Sequence, residues 1–183
     1  MRDISLHLLD IIQNSISANA TAIEISMVID SEKDTLCVTI ADNGKGMSEE
    51  LLKRVESPFT TTRTTRKVGL GIPLFKEGAL SSGGTFRIES TLGIGTTVQA
   101  VYGFSHIDRP PLGDVAGTLQ VIIIGNPDID FIFHAEYGGA IYQMDTKEVK
   151  ETLEDVPITD LDVQQWLQND LIEGIQDTFG GVI

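Results

Sequence analysis

The apolar positions of this 183-residue chain change period several times, and each change predicts a new element. Ile4, Leu8, Ile11 or Ile12, Ser15 and Ile16 recur at helical spacing, which predicts an amphipathic helix over about 4–18. Ile23, Ile25, Met27 and Ile29 then alternate with their neighbours and predict a strand. After the turn Ser31-Glu32-Lys33-Asp34, Leu36, Val38 and Ile40 alternate again, giving a second strand that forms a hairpin with the first. This strand runs into Asp42-Asn43-Gly44-Lys45-Gly46-Met47, and a short helix is predicted over 48–55. Residues 57–68 show no period and read as a long loop of functional interest. A helix follows over 72–80, with Pro73 in its first turn, where the missing N–H costs nothing. Phe86/Ile88 and 96–104 predict two more strands, joined by Leu92-Gly93-Ile94-Gly95.

Pro110-Pro111 and Gly113 mark a boundary. Beyond it, 118–124 and 129–136 read as strands, with Gly138-Gly139 turning tightly into a third over 140–144. Asp145 or Thr146, with Glu148 following, caps a helix reaching 154. A last helix over 160–178 carries Val163, Leu167, Leu171, Ile175 and Phe179 at intervals of four. There is no internal repeat. The expected organisation is a first unit over 1–104, a linker over 105–113, and an α+β extension over 114–183, whose strands either extend the first sheet or pair between chains.

Charge sharpens that division. The net charge is −14. Residues 1–104 carry 10 Lys/Arg against 12 Asp/Glu, whereas residues 105–183 carry 3 against 15. So acidic a chain lacks the surface that nucleic acid or an anionic membrane requires. The acidic half reads either as a solvated face or as a face for a basic protein partner. Asp3, His7 and Asp10 interrupt the first apolar run, which excludes a signal peptide or membrane span there. One cysteine, Cys37, leaves no internal disulfide, and the expected compartment is the cytoplasm. Cys37 reads as a small core side chain, Trp166 as packing, and His7 as a core or edge residue. His106 and His134 have no partner at metal-ligand spacing.

Four short patterns carry candidate chemistry. Asp10 and Asn14 lie four apart on one helix face and can meet a common object; a metal–phosphate oxygen cluster would satisfy the amide, and a polar helix edge is the plainer reading. Asp42-x-Gly44-x-Gly46 ends a strand, where a carboxylate can accept from an exocyclic amine and glycines let backbone pass close to a flat ring; a simple turn reads equally well. Gly69-Leu70-Gly71 opens a helix, whose free N–H groups form an anion site. Gly93-x-Gly95-Thr96 enters a strand, for which a hairpin turn is the alternative.

Taken in order, Asp10…Asn14, DNGKGM, GLG and GIGTT resemble the Bergerat-type nucleotide-binding fold of the GHKL ATPases over about residues 3–104. The stretch SPFTTTRTTRKVGLGIPLFKEGALSSGGTFRIESTLGIGTTV looks most like the histidine-kinase catalytic domain, while HLLDIIQNSISANAT is also similar to the helix of MutL mismatch-repair proteins. The resemblance implies a two-layer α/β sandwich with a mixed sheet, here followed by the small acidic α+β extension. It implies ATP and Mg²⁺ as cofactors, with Asn14 holding the metal. It implies that Asp42 receives the adenine amine, helped by Thr96 through water, and that Gly44 and Gly46 make room for the ring. Gly69 and Gly71 would present donors to the phosphates and hinge a lid. Arg63, Arg66 and Lys67 would neutralise the γ-phosphate, and Phe59 occupies the aromatic position before the lid. Asp10 stands where hydrolysing relatives use glutamate as general base, but it is one methylene shorter.

Since six residues precede His7, a stand-alone form without a phosphoacceptor hairpin is expected. The function implied is an ATP-binding regulatory protein of histidine-kinase-like ATPase type, a possible protein kinase, which phosphorylates or switches an unidentified protein partner. Small anti-sigma-factor serine kinases are the nearest model. A nucleotide-gated binding module without turnover and a slow ATPase are the alternatives, and a homodimer is left open.

Overall fold

The structure is a computed structural model that describes residues 3–56, 71–180 and 182. Its order of elements is α1 (Ile4–Ser17), β1 (Ala22–Asp30), β2 (Thr35–Asp42), α2 (Glu49–Glu56), α3 (Gly71–Ser81), β3 (Thr85–Thr91) and β4 (Gly95–Gly103). Then follow α4 (Val115–Gly125), β5 (Asp130–Tyr137), β6 (Ala140–Asp145), α5 (Thr146–Leu153) and α6 (Leu161–Phe179).

Among the described residues the strands form one mixed, six-stranded sheet in the order β3-β4-β2-β1-β5-β6. Alternation is the reason it has one buried face. Ile25 pairs with Ile40, Met27 with Val38 and Ile29 with Leu36, and these side chains lie buried. Val98, Ala100 and Tyr102 on β4 and Phe131, Phe133 and Ala135 on β5 continue that face, against α1, α3 and α6. The opposite face carries half-buried or exposed residues such as Glu24, Thr39, Gln99 and His134. The result is the expected mixed α/β sandwich with an open sheet.

One element differs from the sequence reading. Residues 118–124, expected as a strand, lie inside helix α4. The run Leu119–Ile124 is rich in β-branched residues, but propensity is a weak prior that tertiary burial overrides. Val115, Ala116, Leu119, Ile122 and Ile123 form a helical stripe that packs between α1 and α6, and the Asp114 side chain caps the start by accepting from Gly117 N–H.

The strands after Pro111 extend the first sheet. β5 runs parallel beside β1, with Ile25 opposite Phe133, and the Gly138-Gly139 turn leads into β6. Both glycines have φ in the left-handed region (+58° and +89°), as a two-residue hairpin turn demands. Residues 105–113 are tied down at both ends. Phe104 N–H and Ser105 bind Asp34, and Arg109 donates to the carbonyls of Phe104 and Pro110. The carbonyls of Pro111 and Leu112 accept from the first N–H groups of α1, at Ile4 (2.8 Å) and Ser5 (2.9 Å). Two donors that a helix start leaves orphaned are thereby satisfied.

Two further residues differ from the sequence reading. Cys37 is not a core residue: Leu36 and Val38 point inward, so Cys37 lies half-buried on the open face, its Sγ 3.8 Å from Thr39 Oγ1. Trp166 is exposed, because Val163 and Leu167 hold the core face of α6.

The core supplies a stability prediction. Tyr102 packs edge-on against Phe75 (5.9 Å between centroids), and its hydroxyl is buried with no partner among the described residues. Burial pushes its pKa above the ordinary value, and the same cause, with Asp170 beside it, raises that of Tyr142. A raised folded-state value means that the native state holds these protons more tightly than the unfolded chain. Stability is therefore complete below the unfolded value of about 10 and falls as pH rises above it. Tyr102→Phe removes an unsatisfied hydroxyl, so it should raise stability by about 1 kcal/mol at neutral pH and soften the alkaline loss. Thermal melts of both proteins across that pH range check it; a lower melting temperature for the variant at neutral pH would refute it.

Candidate functional site

A cleft of about 290 Å³ opens where the C-terminal half of α1, the end of β2, the loop after it and the start of β4 converge. Helix periodicity puts Ile11, Asn14, Ser15 and Ala18 of α1 on its wall, and the strand period puts Asp42, Thr96 and Val98 on its floor. Met47, Leu51, Val55 and Ile72 add apolar surface from the loop, α2 and α3. Concave, mostly apolar and holding a few convergent polar groups, it has the character of a small-molecule site.

Asp42 is the last residue of β2 and stands in register between Ile23 and Thr96. Its Oδ2 accepts from the Ser15 hydroxyl at 2.6 Å, and its Oδ1 from Gly44 N–H at 2.8 Å. A carboxylate offers about four lone-pair sites, so two bonds fix its orientation and leave acceptor capacity for a ligand donor. Thr96 Oγ1 lies 2.8 Å from Ser90 Oγ, which also accepts from Met47 N–H and donates to the Gly95 carbonyl. Ser90 thus joins the β3–β4 hairpin to the loop that walls the cleft.

The loop's glycines are required by space. Gly46 has φ +63°, and a Cβ there would collide with the Thr91 carbonyl. Gly44 presses on Ala18, where a Cβ would meet both Cβ and carbonyl oxygen at 2.9 Å. Lys45 N–H donates to that same Ala18 carbonyl, and Asn43 Oδ1 accepts from Thr21 and Ala22, so the loop is stitched to the end of α1. Lys45 lines the cleft mouth.

Asn14 lines the cleft one turn beyond Asp10, and its buried Nδ2 has no partner among the described residues. An orphaned buried amide is costly unless a ligand satisfies it. Its Oδ1 is a hard oxygen donor of the kind Mg²⁺ takes, one protein ligand being enough when phosphates and water supply the rest. No group of three or more His, Cys, Asp or Glu able to hold a metal occurs among the described residues. Gly71 opens α3 directly beside Asp10, where an added Cβ would lie 2.5 Å from the Asp10 Cβ. The N-terminus of α3 thereby lies next to Asp10, one turn from Asn14.

The structure brings Asn14, Asp42, Gly46 and Thr96 to one cleft, with Gly44 behind Asp42 and Gly71 against Asp10. Phe59, Arg63, Arg66, Lys67 and Gly69 lie outside the described residues. Sequence reasoning passed over Ser15, Ser90 and Lys45. The signal for Ser15 was present, as a polar residue inside the apolar stripe of α1; Ser90 sits on an ordinary strand and carries none. His7 is buried in the core, edge-on to Phe75. No helix among the described residues is long and apolar enough to cross a membrane.

Residues 2–105 match the family model of histidine kinase-, DNA gyrase B- and HSP90-like ATPases. A putative sensor protein of Shewanella frigidimarina is 35% identical over 104 residues, spanning 55% of this chain and 16% of that protein. A sensor histidine kinase of Bacillus subtilis is 29% identical over 97 residues, or 51% of this chain and 17% of the kinase. The chain thus spans about a sixth of the length of these relatives. Among solved structures, the N-terminal domain of a DNA repair protein superposes with a TM-score of 0.55 at 15% identity, covering 99% of this chain and 58% of that one, and so shares the fold. A cleft with this fold around it and a matched region of that extent leave one conclusion: the chain belongs to the histidine kinase-, DNA gyrase B- and HSP90-like ATPase family, with an ATP-binding, histidine-kinase-type domain over residues 2–105.

Proposed function

We propose that this protein binds Mg-ATP in the cleft and uses it to phosphorylate or switch a protein partner. One observation carries the nucleotide reading: a carboxylate, Asp42, is held by Ser15 and Gly44 at the floor of an apolar cleft with acceptor capacity to spare. An adenine ring would suit such a place: Asp42 would accept from its amine, Met47 and Val98 would offer apolar surface, and Thr96, in register with Asp42, would help through water. Asn14 would hold Mg²⁺, which would neutralise phosphate charge, while its orphaned Nδ2 would donate to a phosphate oxygen. Gly71 and the N-terminus of α3 would receive the phosphates. Asp10 would orient this group or serve as base through a water.

The extension supports a regulatory output. It shares the sheet with the ATP-binding domain, and Asp130 N–H at the start of β5 donates to the Thr21 carbonyl, next to the residues that hold Asn43. A change in the nucleotide loop has a short bonded route to β5 and α5.

Calorimetric titration with ATP and Mg²⁺, on wild type and Asn14→Ala, tests the site while phosphate release is followed in the same samples. Asn14→Ala should bind at least about ten-fold more weakly, since a hydrogen bond to a charged group is worth roughly 1.5–3 kcal/mol. Its melting temperature should hold, because the deleted amide has no partner to lose among the described residues. Equal binding by the variant would remove Asn14 from the site. Phosphate release without a partner would favour an ATPase, and its absence a kinase or switch.

A further inference from the structure

The strand β6 is an edge of the sheet: its inner side pairs with β5, and its outer side pairs with no strand among the described residues. Beside it, β6, α5 and α6 enclose a groove of about 620 Å³ lined by Asp145, Glu148, Val149, Trp166 and Asp170 among others. Trp166 is 47% exposed, an unusual position for a large aromatic that the core does not use. Asp170 is held in place: the Tyr142 hydroxyl donates to its Oδ2 at 2.6 Å, and the Tyr142 ring lies against Gly174, where any Cβ would strike it. That carboxylate therefore keeps its position at little further entropy cost on binding. Charge is one-sided. Residues 137–180 hold ten Asp/Glu against Lys147 and Lys150, and Lys150 is engaged by Asp130 and by the carbonyls of Pro127 and Ile129.

We propose that this groove docks a basic, extended segment of a protein partner. The segment adds as a strand to the outer edge of β6, and an arginine or lysine lies on the Trp166 ring beside Asp170 and Glu148. An unpaired edge supplies main-chain hydrogen bonds, which favours a strand as the occupant. An exposed indole among carboxylates selects a cation over an apolar or acidic side chain. The inference does not depend on the nucleotide reading, because neither the groove nor its test involves ATP.

Trp166 is the only tryptophan in the chain, so its fluorescence reports the groove directly. The test titrates the full, nucleotide-free chain with a short synthetic peptide alternating arginine and valine, and with its counterpart carrying glutamate for arginine. The expected result is a saturable fluorescence change with the basic peptide alone, weakening with added salt. Asp170→Asn combined with Glu148→Gln should weaken it at least about ten-fold, and Glu32→Gln, in the distant β1–β2 turn, should leave it unchanged. Should the double variant fail to fold, Glu148→Gln alone, on an exposed helix surface, should move affinity in the same direction. No saturable change, equal responses to both peptides, or insensitivity to the groove variants would overturn the proposal. A fluorescence change that follows protein concentration without peptide would overturn it too, assigning the groove to a second copy of the chain.

Discussion

Gly46→Ala should destabilise the protein by about 3 kcal/mol or more and leave no saturable ATP binding at millimolar nucleotide. Two costs add at this position. The backbone sits at φ +63°, which charges a side chain about 1 kcal/mol. A Cβ there would also overlap the Thr91 carbonyl and lie 3.1 Å from that of Gly95, both backbone atoms in a hairpin that cannot swing aside alone. The loop carrying Gly44 and Met47 must move, and with it the wall of the cleft and the N–H that fixes Asp42. Gly93 provides the control. Its φ is +80°, but an added Cβ meets nothing within 4 Å, so Gly93→Ala should cost only about 1 kcal/mol and bind ATP nearly as wild type. Denaturant unfolding and nucleotide titration of the two variants check this. Equal losses at both positions would show that conformation, rather than the packed hairpin, dictates glycine at 46.

Asp42→Asn should lower ATP affinity about a hundred-fold while stability falls by no more than about 1 kcal/mol. In the native site, the Ser15 hydroxyl and Gly44 N–H both donate to the carboxylate. An amide has one acceptor oxygen, which Gly44 claims; the Ser15 hydroxyl can rotate to accept from the new NH₂. The fold is thereby satisfied, and the ligand amine finds a donor where it needs an acceptor. Leaving that amine buried without its bond costs more than the bond itself was worth. Calorimetric titration beside a thermal melt separates the two effects. A variant that loses stability in proportion to affinity would mark Asp42 as a structural residue of the loop.

Much of the architecture follows from periodicity. Alternation along 23–29 and 36–40 predicts the hairpin and which face is buried, and Gly138-Gly139 predicts the turn into β6, since each rests on local rules of pleat and turn. Helix α4 is not legible locally, because its β-branched run suggests a strand and only its neighbours α1 and α6 decide the matter. The parallel pairing of β5 with β1 has no local signal, because the connection between them passes through most of the chain. At the cleft, Asp42 and its glycines are marked by their own unusual composition. Ser15 and Ser90 are not, because what matters about them is the partner that folding brings: a serine reads alike whether its hydroxyl meets water or orients a carboxylate.

In the proposed site, Asp42 reads the exocyclic amine of adenine. The most direct test compares ATP with inosine triphosphate, which carries an oxygen where adenine carries the amine, on wild type and Asp42→Asn. Wild type should prefer ATP by about a hundred-fold, because the inosine oxygen faces a carboxylate and no donor. In Asp42→Asn the preference should vanish or invert, since the amide can donate to that oxygen. Equal affinity for the two nucleotides in wild type, or a preference untouched by the substitution, would remove Asp42 from adenine recognition.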